Sequence, residues 1–529
     1  MHRCLQIPEI VEQIVEHIRS TCDITEEQTV VTRKGRHLGT IQGTLFSSAL
    51  TCRQFLEPSL NVLWRNLDSA APIFFVLGVR RDGQSDEEAA RILEIADLGR
   101  ASYYFCRIRT LRAARRDLYP AILPLEKVYR QNRLKVTPYL QHLYWDVPAT
   151  CKSFLHKYDI FCGFHLIRLS VHPIGISHVV KNGCPDFKEI ELLNEYGSLP
   201  DLDGTVSWCI RHLYPMHVVD AYAHELRPGS VTALAAMPSL RHLSTVALSP
   251  RSHIPSSPDD PSRPFFPSLR ELRVRRVMTD VCGRFLQAVE NPGLIQQLNI
   301  GYEPTDLGAA ELERFVSLVG DICAQSSLTN FALMLTEIGK IVTKNLDEAT
   351  YRVTPEMLKP LLQFSKLELC HISTHFLDYD DGFVKSVATA FPNLVTLTLL
   401  SVPEHQKRSK LTLRSLYFLA KHGGKLEDVR LNRLTAQGLE IIDTERRTWD
   451  HGRRFDTSPG LGIRTWGAES EILHQENKVI AWLVNIFPTV VEISIGRIEV
   501  HCPRESRRRY LSPIGWPFTH KFVDPSDTA

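Results

Sequence analysis

One short phrase, leucine-x-x-leucine-x-leucine, returns along most of this chain, and no other feature limits its fold as much. Its best copy is Pro267-Ser268-Leu269-Arg270-Glu271-Leu272-Arg273-Val274. Looser copies lie near residue 109 and over 139–145, 165–171, 186–192, 239–243, 294–300, 328–333, 393–399, 425–431 and 488–495. They recur at intervals of about 21–34 residues, with a few near double that, the signature of stacked supersecondary units. The second and third apolar positions are two apart, so both point to one face of a short strand. Between the copies lie segments such as 280–289 and 312–319, whose apolar residues follow helical spacing. The chain therefore reads as α/β, with strand and helix alternating from about residue 106 to 500.

Strand followed by helix at this period resembles the leucine-rich repeat, although no copy carries that family's full asparagine-bearing consensus. The resemblance implies a curved solenoid with a parallel sheet on its concave face, formed because one repeat cannot bury its apolar side alone. In that register Leu272, Val274, Leu397, Leu399, Val429 and Leu431 are core. Arg273, Arg275, Thr396, Thr398, Arg430 and Asn432 then face outward as candidate contacts for a target protein. An irregular α/β domain with leucine-rich strands is the other reading. The proline- and serine-rich stretch 249–268 reads as a mobile loop between repeats, with Ser249-Pro250 and Ser257-Pro258 as phosphorylation candidates. Residues 501–529, with Arg507-Arg508-Arg509, read as a surface tail.

The N-terminus has a different pattern. Ile10, Ile14 and Ile18 recur every four residues, widened by Ile7, Val11 and Val15, and Pro8 suits the first position of that helix. A second short helix is expected through Phe46, Ala49 and Leu50, and a third from Pro58 through Leu60, Leu63 and Trp64. The polar stretch 20–44 between the first two reads as a solvated insertion. Helices also fit the connector 69–105.

The order Ile7-Pro8-Glu9-Ile10, then Leu50-Thr51-Cys52-Arg53-Gln54-Phe55, then Leu63-Trp64 resembles the F-box. Its wording is closest to F-box proteins of mushroom-forming fungi. The family joins its first two helices within a few residues, and the insertion departs from that. The resemblance implies that Ile7, Pro8, Ile10, Ile14, Leu50, Phe55, Leu63 and Trp64 present apolar surface to a Skp-type adaptor. An F-box-like module at 1–68 followed by repeats is the plan of a substrate receptor in an SCF-type cullin–RING ubiquitin ligase. The target protein is unspecified, and the chain itself performs no catalysis. A non-catalytic interaction scaffold outside any ligase is the alternative.

Composition sorts the remaining classes. The chain has 529 residues, 43% hydrophobic and 23% charged, with 62 basic against 60 acidic side chains. A net charge of +2 disfavours nucleic acid as the main partner. No apolar run reaches the length of a membrane helix. A cytoplasmic or nuclear protein is expected. The 12 cysteines are scattered without a C-x-x-C, so neither a zinc site nor a cofactor is expected, Cys151, His156 and Cys162 being the nearest approach to a cluster. No nucleophile elbow, phosphate loop or H-E-x-x-H helix occurs. Asp378-Tyr379-Asp380-Asp381-Gly382 starts like a calcium loop but lacks the glycine and closing glutamate that loop requires.

Overall fold

The strands form where the repeated phrase places alternate apolar side chains on one side. A computed structural model describes residues 7–26, 39–79, 85–114, 122–132, 134–147, 157–172, 186–193, 208, 210, 212, 216–226, 228–248, 265–276, 279–302, 308–323, 327–335, 347–401, 410–435, 462–465, 479, 482–483, 487, 492–495 and 498–501. Two compact units divide the chain, 1–223 and 224–529. The division falls inside the region read as repeats.

In the first unit, α1 (Pro8–Glu26), α2 (Gly39–Thr51) and α3 (Arg53–Arg65) lead into β1 (Asn66–Leu67). Helices α4 (Ala71–Val76), α5 (Asp86–Ile95) and α6 (Leu98–Phe105) occupy the connector, with Ser85 and Asp97 capping the last two through bonds to Glu88 N–H and Arg100 N–H. The strands β2 (Thr110–Ala114), β3 (His142–Asp146), β4 (Arg168–Val171), β5 (Glu189–Leu192) and the start of β6 (Val218–Leu226) then pair in sequence order, all parallel. Helix α7 (Ile122–Gln131) lies between β2 and β3 in the chain.

The second unit continues the pattern with β7 (His242–Leu248), β8 (Glu271–Arg276), β9 (Gln297–Tyr302), β10 (Asn330–Leu335), β12 (Leu369–Thr374), β14 (Thr396–Ser401), β15 (Asp428–Leu431), β16 (Gly462–Thr465) and β17 (Glu492–Ile495). Each pairs parallel to the next, and only β18 (Ile498–His501) turns back antiparallel onto β17. A separate small pair joins β11 (Arg352–Val353) to β13 (Phe376–Leu377). Parallel pairing requires crossovers of a dozen or more residues. Helices such as Thr279–Ala288, Ala309–Ile322, Asp381–Ala390 and Leu413–His422 supply them.

Three buried positions recur in copy after copy among the described residues. Leu140, Leu143 and Trp145 form one set, followed by Leu166, Leu169 and Val171, then Phe187, Ile190 and Leu192. In the second unit Leu269, Leu272 and Val274, Leu394, Leu397 and Leu399, and Leu426, Val429 and Leu431 repeat it. Two copies that sequence inspection passed over obey the same rule, Met216-Val219-Ala221 and Leu367-Cys370-Ile372. In them methionine, alanine and cysteine stand where the repeated phrase has leucine.

The backbone repeats as strictly. Between many successive copies one carbonyl accepts from two successive N–H groups of the next, as Arg109 does from Gln141 and His142, and Gln141 from Ile167 and Arg168. The same fork runs in the second unit from Arg241 through Arg270, Gln296, Thr329, Glu368 and Val395 to Glu427 and Asp428. Both lone pairs of each carbonyl are thereby used, and the strands are locked at one register.

Two loop expectations are corrected. The insertion 20–44 is not a loop throughout, since α1 extends to Glu26 and α2 starts at Gly39. Helix propagation from both apolar ends costs little per added residue. The stretch 249–268 ends in a packed piece: Phe266 is fully buried, its N–H donates to Ala235 O at 2.9 Å, and its ring lies 5.0 Å from Phe285. Phe266 adopts φ 52°, a conformation costly for a bulky residue and sustained here by the burial of its ring. Expectations for 27–38, Ser249-Pro250, Ser257-Pro258 and the tail beyond His501 fall outside the described residues.

Candidate partner-binding surfaces

Helix α1 turns Val11 and Val15 inward against Leu45 of α2, and Ile18, Phe55, Val62 and Leu63 pack on that small core. So few buried residues leave much apolar surface uncovered. Helix α2 carries two parallel rows at i, i+4. Leu45 and Ala49 are buried, while Phe46 and Leu50 are 58% and 69% exposed. Sequence reading put Phe46, Ala49 and Leu50 on one stripe. The adjacent pairs Leu45-Phe46 and Ala49-Leu50 carry the signal it missed, because only one of two neighbouring rows can face the core.

The eight residues assigned to an adaptor separate accordingly. Ile7, Pro8 and Leu50 are exposed, whereas Ile10 and Ile14 lie half-buried on the shoulder of α1. Phe55 and Leu63 are packed against the core of the unit. The Trp64 ring sits 5.1 Å from Tyr104 and 6.2 Å from Phe105 of α6.

Beside α1 runs a cleft of about 980 Å³ lined by Glu9, Glu12 and Glu16 on one wall and by Arg65, Tyr103, Arg107, Arg109 and Tyr139 among the others. Much of its charge is already matched. Glu16 pairs with Arg19 at 2.7 Å and meets Arg65 at 4.0 Å, and the Arg19 hydrogen bond holds its carboxyl below the usual range. Glu57 takes both Tyr103 O–H and Arg107, and the Tyr103 bond is the larger cause of its lowered pKa. Arg109 donates to the carbonyls of Cys106 and Ile108 at 2.7 and 3.2 Å. The cleft is a braced junction of structural ion pairs.

On the strand face of the second unit, Arg273 keeps 42% of its side chain exposed and Arg430 44%, while Arg275 is exposed and Thr396 half-buried. Thr398 and Asn432 are not open to a partner as expected; each is 2% exposed. Thr398 stands at one register between His371 and Arg430, whose longer side chains cover a short one. Asn432 lies one residue past the end of β15, where strand alternation no longer applies. Its Oδ1 accepts Ser401 N–H at 2.7 Å, its Nδ2 donates to Ser401 Oγ at 3.0 Å, and its own N–H donates to the Tyr379 hydroxyl at 3.2 Å. Tyr379 O–H donates onward to Leu399 O at 2.7 Å.

His371, between these rows, has its pKa lowered by burial first and by Arg430 second, with Asp428 opposing. A depressed value means that the unfolded chain takes up the proton first as pH falls. Its contribution to stability is therefore complete above the ordinary histidine range and declines as pH drops through it. His371→Gln is expected to reduce the loss of unfolding midpoint between pH 7.5 and pH 5.5, measured by guanidinium denaturation.

The acidic turn is occupied by structural duties. Asp378 binds Arg352 and Lys410, Asp380 caps the helix Asp381–Ala390 through Phe383 N–H, and Asp381 accepts from Thr412 N–H, Thr412 O–H and Ser415 O–H. Among the described residues no group of three histidine, cysteine or carboxylate side chains could hold a metal ion, and no helix is long and apolar enough to cross a membrane. Cys162 is buried with its thiol 3.4 Å from Tyr158 O; Cys151 and His156 lie outside the described residues. Burial pushes the Cys370 thiol up to about 12, which keeps it protonated and unreactive.

No protein-family model matches this chain. A search of curated proteins likewise finds no match.

Proposed function

We propose that this protein is the substrate-recognition subunit of an SCF-type cullin–RING ubiquitin ligase. In this reading the helices α1–α3 bind a Skp-type adaptor as an F-box does. The leucine-rich strand-helix repeats curve into a solenoid whose concave strand face takes the target protein. The observation that carries the reading is the outward apolar row of Phe46 and Leu50, with Ile7 exposed just before α1, on a unit that already has its own inner core. Exposed apolar side chains rimmed by polar ones mark protein-binding surfaces. The ordered motif Ile7-Pro8, Cys52-Arg53-x-Phe55 and Leu63-Trp64 supports the same partner. The chain would act by bringing a target lysine close to a charged conjugating enzyme, with no chemistry of its own. A cytoplasmic or nuclear site of action follows from that role.

The test is co-expression of the full chain with the host's Skp-type adaptor. Leu50→Asp and Ile7→Asp lie on exposed surface, so folding should survive both changes. Each should lower adaptor affinity by about tenfold or more, since buried anchors dominate interface energy. Undiminished co-purification of both variants would remove this surface from the contact. A complex that contains adaptor but never cullin would instead indicate a scaffold outside the ligase.

A further inference from the structure

Ser244, Arg273 and Asn299 stand at one register on β7, β8 and β9. Neighbouring strands are about 4.8 Å apart, so the three side chains adjoin on the face opposite the leucine core. Their polar atoms are not all used. Ser244 is 1% exposed and its Oγ has no hydrogen-bond partner. Arg273 Nε is also buried without a partner, although the side chain as a whole remains reachable. Its NH2 group meets Gln297 Oε1 at 3.3 Å and Glu271 at only 3.9 Å, because Glu271 is engaged by His242 Nδ1 at 2.7 Å. Buried polar atoms left unpaired call for a ligand, an ion or water.

We propose that Ser244, Arg273 and Asn299 form a subsite for one side-chain carboxylate of an acidic peptide segment lying across the strands. The inference rests on the reading that this face receives a target protein, and it names the chemistry of that target. A guanidinium, a hydroxyl and an amide all donate to a carboxylate, and an arginine fork matches its two oxygens. Arg273 repels a basic segment. The nearby Glu271 disfavours the second negative charge of a phosphate, so a single carboxylate fits better. Ala332, next in the row at the register of Asn299, raises no side chain against the passing peptide backbone.

The probe is a fluorescent, end-blocked peptide of Gly-Ser-Glu repeats, titrated by anisotropy with the full chain at low salt. Matched peptides carry Gln, Lys or phosphoserine in place of Glu. The Glu peptide should bind best. Arg273→Gln should weaken it about tenfold and Ser244→Ala about threefold, with Arg273→Lys intermediate because the charge survives without the fork. Arg314→Gln, on the exposed surface of the helix Ala309–Ile322, should change nothing. Thermal unfolding of each variant checks that folding is intact. Equal binding of Glu and Gln peptides, tighter binding of the phosphoserine peptide, or indifference to Arg273→Gln would overturn the assignment. Adaptor co-purification of the Arg273→Gln protein separates the two readings. A chain that binds the Glu peptide but no adaptor would keep the subsite and overturn the ligase role.

Discussion

Trp145→Ala should destabilise the first unit by about 3–5 kcal/mol, the range for removing a large aromatic from a packed core. The ring is fully buried and lies 6.3 Å from Tyr158 and 5.7 Å from Phe161. It occupies the third apolar position of its copy, next to Ala113 on β2 and Val171 on β4, and neither small neighbour can fill the space. A guanidinium transition followed by circular dichroism would report the shift. Trp145→Phe should cost far less, because the buried indole N–H has no partner and its removal relieves a desolvated donor. If both variants unfolded at the same concentration, lost packing would not be the dominant effect.

Asn432→Ala should cost about 2–3 kcal/mol, mostly by leaving Ser401 N–H buried without an acceptor. Asn432 joins three chain segments: from its own turn after β15, its side-chain amide bonds Ser401 at the end of β14, and its backbone N–H donates to Tyr379 before the helix Asp381–Ala390. Ser401 Oγ also accepts Leu377 N–H at 3.0 Å, so the network reaches β13 as well. Partners in one network do not add independently. Asn432→Ala combined with Ser401→Ala should therefore cost less than the two single changes together, and strict additivity in the same denaturation assay would refute the coupling.

Much of the α/β reading was written in the sequence. The spacing leucine-x-x-leucine-x-leucine fixes strand direction and buried side locally, and residues such as Leu272 and Val274 or Leu397 and Leu399 lie where that spacing puts them. The helices of the connector 69–105 carry their own caps at Ser85 and Asp97. Periodicity was less informative where apolar residues stand side by side, as in α2, because either row could have become the inner one. It also passed over copies built on methionine, alanine and cysteine.

The sequence by itself determined that strands and helices alternate and which strand positions are apolar, because alternation along an extended backbone is a local property. Tertiary structure decided the rest. His371 and Arg430 on adjoining strands flank Thr398 as it is buried, and Ser401 N–H, which donates to the Asn432 amide oxygen, holds Asn432 inward. Packing against Val11 and Val15 selects Leu45 over Phe46 for the core. In each case the deciding group belongs to another element, brought alongside only when the chain has folded, and no spacing within one segment encodes it.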